Sequence, residues 1–253
     1  KIRLNNAERL SLAGLLLRPE SGANAALIVC HGFTGSKEGG GRTLEMGRFL
    51  SRQTGVAVFV FDFAGNGESQ GRFEELTLSG QIKDLTAAVD WCTAALDGPV
   101  LTMGRSFGGS TVLCQAAGDT RVKAVCTWAA PARPHELFAG MASDTGEGRI
   151  AFSSPEASVR LKKGFLEDLQ QHDVLWAAGR LAPRPLMVVH GAVDHDVPPR
   201  EAEWIYAAAG HPKTIRIIPG ADHRFQVHAD LAWEATREWI EETLEGLGKG
   251  AEA

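Results

Sequence analysis

Gly104-Arg105-Ser106-Phe107-Gly108 stands directly after the apolar run 99–103 and directly before a stretch of helical period, 108–117. A strand that turns sharply into a helix holds its central residue in a strained backbone conformation, and glycines two before and two after keep side chains from colliding across the turn. The Ser106 hydroxyl is then lifted clear of the chain. The helix N-terminus behind it offers N–H groups and the positive end of the helix dipole to any anion that forms there. Taken alone, the five residues are only a glycine-rich turn. The strand before and the helix after give them chemical meaning, and Gly109 lets the helix pack closely.

Outward from this turn the same alternation runs along the chain. The runs 25–30, 56–61, 99–103, 122–128, 185–190 and 214–218 are nearly continuous in apolar residues, as strands buried on both faces of a parallel sheet must be. Residues 10–17 read as an antiparallel edge strand. Helical period appears in 42–53, 78–96, 108–117, 200–209 and 228–244. The expected fold class is therefore α/β, with a mostly parallel central sheet of about eight strands and helices on both faces. One stretch, 131–183, breaks the alternation with Gly140, Gly146, Gly148, Pro155 and Gly164 and only short helical patches such as 165–169. It reads as a small cap insertion within a single domain, 1–253. There is no internal repeat, and a tail rich in Gly, Lys, Glu and Ala follows Leu247.

Composition narrows the classes. Apolar residues are 44% and charged residues 23% of the 253, which excludes a disordered or collagen-like chain. The net charge is −5 with no basic stripe, so nucleic acid is not an expected partner. No apolar run approaches the length of a membrane helix, so no membrane partner is expected either. Cys30, Cys92, Cys114 and Cys126 are scattered, without a CxxC pair, and each has apolar neighbours, which suits a reducing compartment. No signal peptide precedes Lys1, although a first residue other than Met leaves room for a trimmed segment. A cytoplasmic location is the expectation.

A serine hydroxyl is a poor nucleophile at neutral pH and needs a histidine to take its proton, and a carboxylate to orient that histidine. Two downstream loops supply both. His190-Gly191-Ala192-Val193-Asp194-His195-Asp196-Val197-Pro198 follows the strand 185–190, and Gly220-Ala221-Asp222-His223 follows 214–218. Both lie past carboxyl ends of strands, where sites of open α/β sheets collect. Asp194 is the expected acid and His223 the expected base; Asp196 is expected to satisfy backbone donors of its own turn. Of the other histidines, His190 reads as packed at a strand end and His195 as without a role. His135, His172, His211 and His228 read as exposed. None forms an HExxH signature, so no metal and no cofactor are expected.

An oxyanion formed at the serine needs backbone donors. Phe107 N–H, just after the serine, is one. The loop His31-Gly32-Phe33-Thr34-Gly35-Ser36 after the strand 25–30 offers Phe33 N–H as the second, although by itself this loop could be an ordinary tight turn.

Together, HGFTGS, DFAGNGES at 62–69, GRSFGG, HGAVDHDVP and GADH resemble the α/β-hydrolase superfamily in kind and order over almost the whole chain. Within it the sequence is similar to small carboxylesterases, including cinnamoyl and feruloyl esterases. That resemblance implies the α/β-hydrolase fold, a Ser106–His223–Asp194 acyl-enzyme mechanism on short-chain or aryl esters, and a cap over the serine that selects the acyl group. The only tyrosine, Tyr206, lies outside 131–183, so the cap has no tyrosine with which to contact a phenol. Asp62, Gly65, Gly67 and Ser69 read as a structural loop. Phe33, Phe107, Phe138, Phe152, Phe165 and Trp176 read either as an acyl pocket or as the cap's own core. The chain also resembles esterase-like domains classed as serine aminopeptidases.

Two enzymatic alternatives, an aminopeptidase or amidase and a thioesterase, use the same triad. The first would draw on cap carboxylates such as Glu136, Asp144 and Glu156, which equally form a solvated face. A more distant one is a non-catalytic binding module that kept the fold. The expected partner is a small-molecule ester substrate; a homodimer is possible in this fold but not indicated by the sequence.

Overall fold

The computed structural model describes residues 1–20, 22–153 and 158–251. Pro155 and Glu156, named above, lie outside the described residues. Eight strands form one sheet in the order β1-β2-β4-β3-β5-β6-β10-β11. From β4 (Ala57–Phe61) through β3 (Ala26–Cys30), β5 (Val100–Arg105), β6 (Val122–Trp128), β10 (Leu186–Gly191) and β11 (Lys213–Ile218) every pairing is parallel. β2 (Ser11–Leu17) pairs antiparallel with β4, and β1 (Ile2–Asn5) antiparallel with β2.

The continuous apolar runs follow from burial on both sides. Along β4, Phe59 and Phe61 enter a cluster under α2 (Leu78–Ala95) and α3 (Phe107–Gly118), while Val58 and Val60 enter a second cluster under α1 (Arg42–Thr54) and α8 (Ala229–Ala251). Side chains alternate across a strand, so both alternating sets must be apolar. The helices between strands leave the carboxyl ends of β3, β5, β10 and β11 at one edge, and the loops there carry the site.

Three features depart from the sequence expectation. The run 10–17 is not the edge strand, because β1 lies outside it. β1 returns into β2 through a turn in which Asn6 Oδ1 accepts the Glu8 and Leu10 N–H groups and Asn6 Nδ2 donates to Asp84 (2.6 Å). Second, the segment after β6 holds more than short helical patches. Beyond α4 (Pro134–Met141), β7 (Ser143–Gly146), β8 (Arg149–Ser153) and β9 (Ser158–Lys162) form a separate antiparallel sheet, followed by α5 (Gly164–Leu169). Positive φ at Gly146, Glu147 and Gly148 makes the β7–β8 hairpin turn, so those glycines mark a hairpin rather than a structureless loop. Third, α6 (Val174–Gly179) belongs to the helix layer of the main sheet: Val174, Ala177, Ala178 and Leu181 join the cluster of α2 and α3. The break in the alternation therefore ends before α6. α7 (Arg200–Ala208) packs beside α6 through Ala202 and Ile205.

Candidate active site

β5 turns into α3 through Ser106, whose φ of 53° and ψ of −125° lie where residues with a side chain rarely go. The Ser106 N–H donates to the Trp128 carbonyl of β6 (2.7 Å), and its own carbonyl accepts the Gly109 N–H (2.7 Å), which holds the turn from both sides. Space requires the glycines. A Cβ on Gly104 would run into the Gly108 backbone, and one on Gly108 into the carbonyls of His31 and Cys30.

His223, on the loop between β11 and α8, places Nε2 3.1 Å from Ser106 Oγ and Nδ1 2.8 Å from Asp194 Oδ2. Since an ionised carboxylate only accepts, Nδ1 carries the proton and Nε2 faces the hydroxyl as an acceptor. Asp194 is fully buried. Its Oδ1 accepts the N–H groups of Asp196 (3.0 Å) and Val197 (2.8 Å). Asp194, and not Asp196, thus satisfies the turn's backbone donors while its other oxygen meets the histidine. Burial by itself raises the Asp194 carboxyl, but hydrogen bonds from His190 and His223, the charge of His223 and the Val197 N–H outweigh it and hold the group well below the usual carboxylate range.

The loop after β3 reaches the same place. Gly32 abuts the serine: a Cβ there would sit 3.0 Å from Ser106 Cβ and 3.6 Å from Oγ. The Gly32 carbonyl accepts the Gly35 N–H (3.0 Å) and lies 2.9 Å from His31 Nδ1, while His31 Nε2 accepts the Phe63 N–H (3.2 Å), so Nδ1 is that ring's donor. Burial holds the His31 pKa below its ordinary value, which suits this neutral role. With its carbonyl drawn into the turn, the trans peptide of Gly32 aims the Phe33 N–H the opposite way, out of the turn. Phe107, first residue of α3, has no intrahelical acceptor for its N–H.

Above this edge the Phe33 ring lies 5.1 Å from Phe138, 5.4 Å from Phe152, 5.6 Å from Phe73, 6.0 Å from Phe165 and 6.5 Å from Phe107. Phe107, Phe138, Phe152 and Phe165 are buried, while Phe33 and Phe73 are half-buried at the edge of the cluster. Trp176 does not join them. It stands 62% exposed on α6 beside Arg180, because α6 belongs to the main helix layer.

Asp62 accepts the Lys37 N–H (2.7 Å), Lys37 Nζ (2.8 Å) and the Glu68 N–H (2.9 Å), and Gly67 leaves the room its carboxylate occupies. This loop is bonded within itself, as expected. His195 and His211 are exposed, but His135, His172 and His228 are only partly so, and His172 is engaged by Ser79. His31 and His190 act through buried contacts that sequence reasoning did not assign. Their common signal was a His-Gly pair ending a strand. Among the described residues, no group of three or more His, Cys, Asp or Glu side chains is arranged to hold a metal ion. No helix among them is long and apolar enough to cross a membrane.

Residues 25–145 match the α/β hydrolase fold family, and the solved structure of Est1E from Butyrivibrio proteoclasticus with ferulic acid bound superposes with a TM-score of 0.84 over 97% of this chain and 100% of that one, at 24% identity. The chain has the α/β-hydrolase fold. The chain also superposes on the esterase domain of a Rhodothermus marinus protein, with a TM-score of 0.77 and 29% identity over 95% of this chain and 97% of that domain. The mitochondrial palmitoyl-protein thioesterase ABHD10 of Pongo abelii is 28% identical over 257 residues, 91% of this chain and 77% of that protein. Two uncharacterized Salmonella proteins are 29% identical over 66% of the chain, which spans about half (55%) of their length.

Proposed function

We propose that the protein is a serine hydrolase that cleaves carboxylic esters through an acyl-enzyme. One observation carries this reading: His223 uses its two ring nitrogens separately, Nδ1 toward Asp194 (2.8 Å) and Nε2 toward Ser106 Oγ (3.1 Å), beside a serine held in strained backbone. His223 Nε2 takes the hydroxyl proton as Oγ attacks the ester carbonyl. The negative charge that develops on the carbonyl oxygen is met by the N–H groups of Phe33 and Phe107. The imidazolium, stabilised by Asp194, returns the proton to the leaving alcohol, and water then releases the acid through the same histidine.

The half-buried Phe33 ring, backed by buried phenylalanines, favours short or flat aryl acyl groups over long chains. The test is a p-nitrophenyl ester series from acetate to decanoate, with methyl ferulate, run beside Ser106→Ala. Hydrolysis of short esters that vanishes in the variant is the expected result; activity retained in the variant overturns the reading. A thioester substrate is the second reading, supported by the 28% identity to a palmitoyl-protein thioesterase over 91% of the chain. An S-acyl thioester cleaved in preference to its oxygen analogue would favour it.

A further inference from the structure

His190, the last side chain of β10 before Gly191, is fully buried and touches no part of the surface from which a substrate would arrive. Its Nε2 lies 2.9 Å from the Val197 carbonyl and 3.2 Å from Asp194 Oδ2. A carbonyl oxygen only accepts, so the ring proton sits on Nε2; that single N–H donates to the Val197 carbonyl and also lies within reach of the Asp194 carboxylate, which it helps to hold ionised. Nδ1 is buried with no hydrogen-bond partner, consistent with its being the ring's lone-pair nitrogen. Oδ2 of Asp194 therefore faces two imidazoles, His223 at 2.8 Å and His190 at 3.2 Å, while Oδ1 is occupied by two backbone N–H groups.

We propose that His190 is a positioning residue: it staples the loop 191–197 at both Asp194 and Val197, and by sharing Oδ2 it limits how strongly the carboxylate draws on His223. The inference rests on the serine-hydrolase reading above. Every donor to a carboxylate disperses its charge, and the charge left over is what stabilises the imidazolium formed at His223 during attack. Removing the His190 N–H concentrates charge on Oδ2, so the protonated state of His223 persists to higher pH. The other charged group that interacts with this carboxylate is the buried guanidinium of Arg105 at the end of β5, which itself interacts with Arg42 on α1 and with Asp222 and Arg224 before α8; the exposed His195 and Asp196 belong to the carboxylate's own loop. All are left unaltered by changes at position 190.

The experiment compares wild type, His190→Phe and His190→Gln by the pH dependence of kcat/KM on the best short ester. His190→Phe, which fills the space without a donor, is expected to move the acid limb to higher pH by about half a unit to one unit. His190→Gln restores an N–H near the Nε2 position and is expected to bring the limb back toward wild type. An acid limb that stays put in both variants while activity falls at all pH values overturns the proposal and leaves His190 a packing residue. Nitrogen-15 NMR of the wild-type protein gives a second reading that needs no turnover. An Nε2–H tautomer at His190 is expected, and an Nδ1–H tautomer overturns the proposal even if both variants fail to fold. Failure of the hydrolase reading itself appears separately, as ester hydrolysis retained by Ser106→Ala in an otherwise wild-type chain.

Discussion

Among the described residues two sets of Ser, His and Asp lie within reach of one another, and their atoms meet in different ways. At the sheet edge His223 spends one nitrogen on Asp194 and the other on Ser106. At the start of α2, His172 turns the same nitrogen, Nε2, to both Ser79 Oγ (2.8 Å) and Asp168 Oδ2 (3.7 Å), and that carboxylate oxygen accepts the Ser79 backbone N–H (3.0 Å). A histidine passes a hydroxyl proton far more readily when its second nitrogen faces a carboxylate that stabilises the charge that results. Ser79 also lies within the regular first turn of α2, whereas Ser106 is held at positive φ. The second set is a tether. It fixes the end of α5 to the N-terminus of α2, where a carboxylate is favoured by the helix dipole and the unpaired N–H groups. Identical residue types thus divide into a candidate reaction centre and a latch according to which atoms meet.

The sharpest way to break this comparison is to remove each serine. Ser106→Ala is expected to lower kcat/KM for a short p-nitrophenyl ester by about 10⁵-fold or more. Ser79→Ala should stay within about threefold, since it loses only one hydroxyl hydrogen bond of the tether. Equal losses in the two variants, read in the same assay on purified folded protein, would erase the distinction. The acids give the next largest contrast. Asp194→Asn is expected to cost roughly 10⁴-fold in kcat by disturbing the His223 tautomer. Asp168→Asn should leave kcat in place and cost about 1 kcal/mol of stability in urea unfolding.

Another buried carboxylate, Asp84, sharpens the electrostatic side. Asp194 is held low, so its contribution to stability is present above the ordinary carboxylate range and is lost only as pH falls through and below it. Asp84 behaves in the opposite sense. Desolvation pushes it up to about 6, despite hydrogen bonds from Asn6 and the Ala64 N–H. With its folded pKa above the unfolded value, the native state binds the extra proton. Its contribution is therefore complete below about pH 4 and is lost as pH rises through about 6, by up to about 3 kcal/mol. Urea titrations of wild type and Asp84→Asn should show the wild-type advantage shrinking across that window. A constant difference would mean that Asp84 does not titrate there.

Smaller effects probe the aromatic cluster and the tether. Phe33→Ala should enlarge the acyl space and raise the octanoate-to-acetate ratio of kcat/KM by about tenfold, each added methylene in a hydrophobic pocket being worth roughly 1 to 3 kcal/mol. An unchanged ratio would place the acyl group elsewhere. His172→Ala should lower stability by about 1 kcal/mol with kcat/KM within about twofold; a large loss of activity would make the tether part of the reaction centre.

Two kinds of information separate in this chain. The strand–helix alternation and the turn around Ser106 could be read directly, because parallel strands buried on both faces must be apolar at every position and a sharp elbow requires glycine at fixed offsets. Both constraints act over a few residues. The loops bearing Asp194, His223 and Phe33 were legible for a related reason: each follows a readable strand, and parallel topology sends those ends to one edge. What the atoms do at that edge was decided by folding. That Asp194 takes its turn's backbone donors as well as His223, that His190 shares the same oxygen, and that His172 offers one nitrogen twice all depend on ångström-scale approach of residues distant in the chain. The outer strand β1, the β7–β9 sheet and the docking of α6 escaped the sequence for a similar reason: the strands are short and partly polar, α6 is a six-residue helix, and each is held by partners outside its own segment. Local pattern determined the frame and the cast of residues; packing at long range determined which nitrogen faces which oxygen, and proton transfer depends on that geometry.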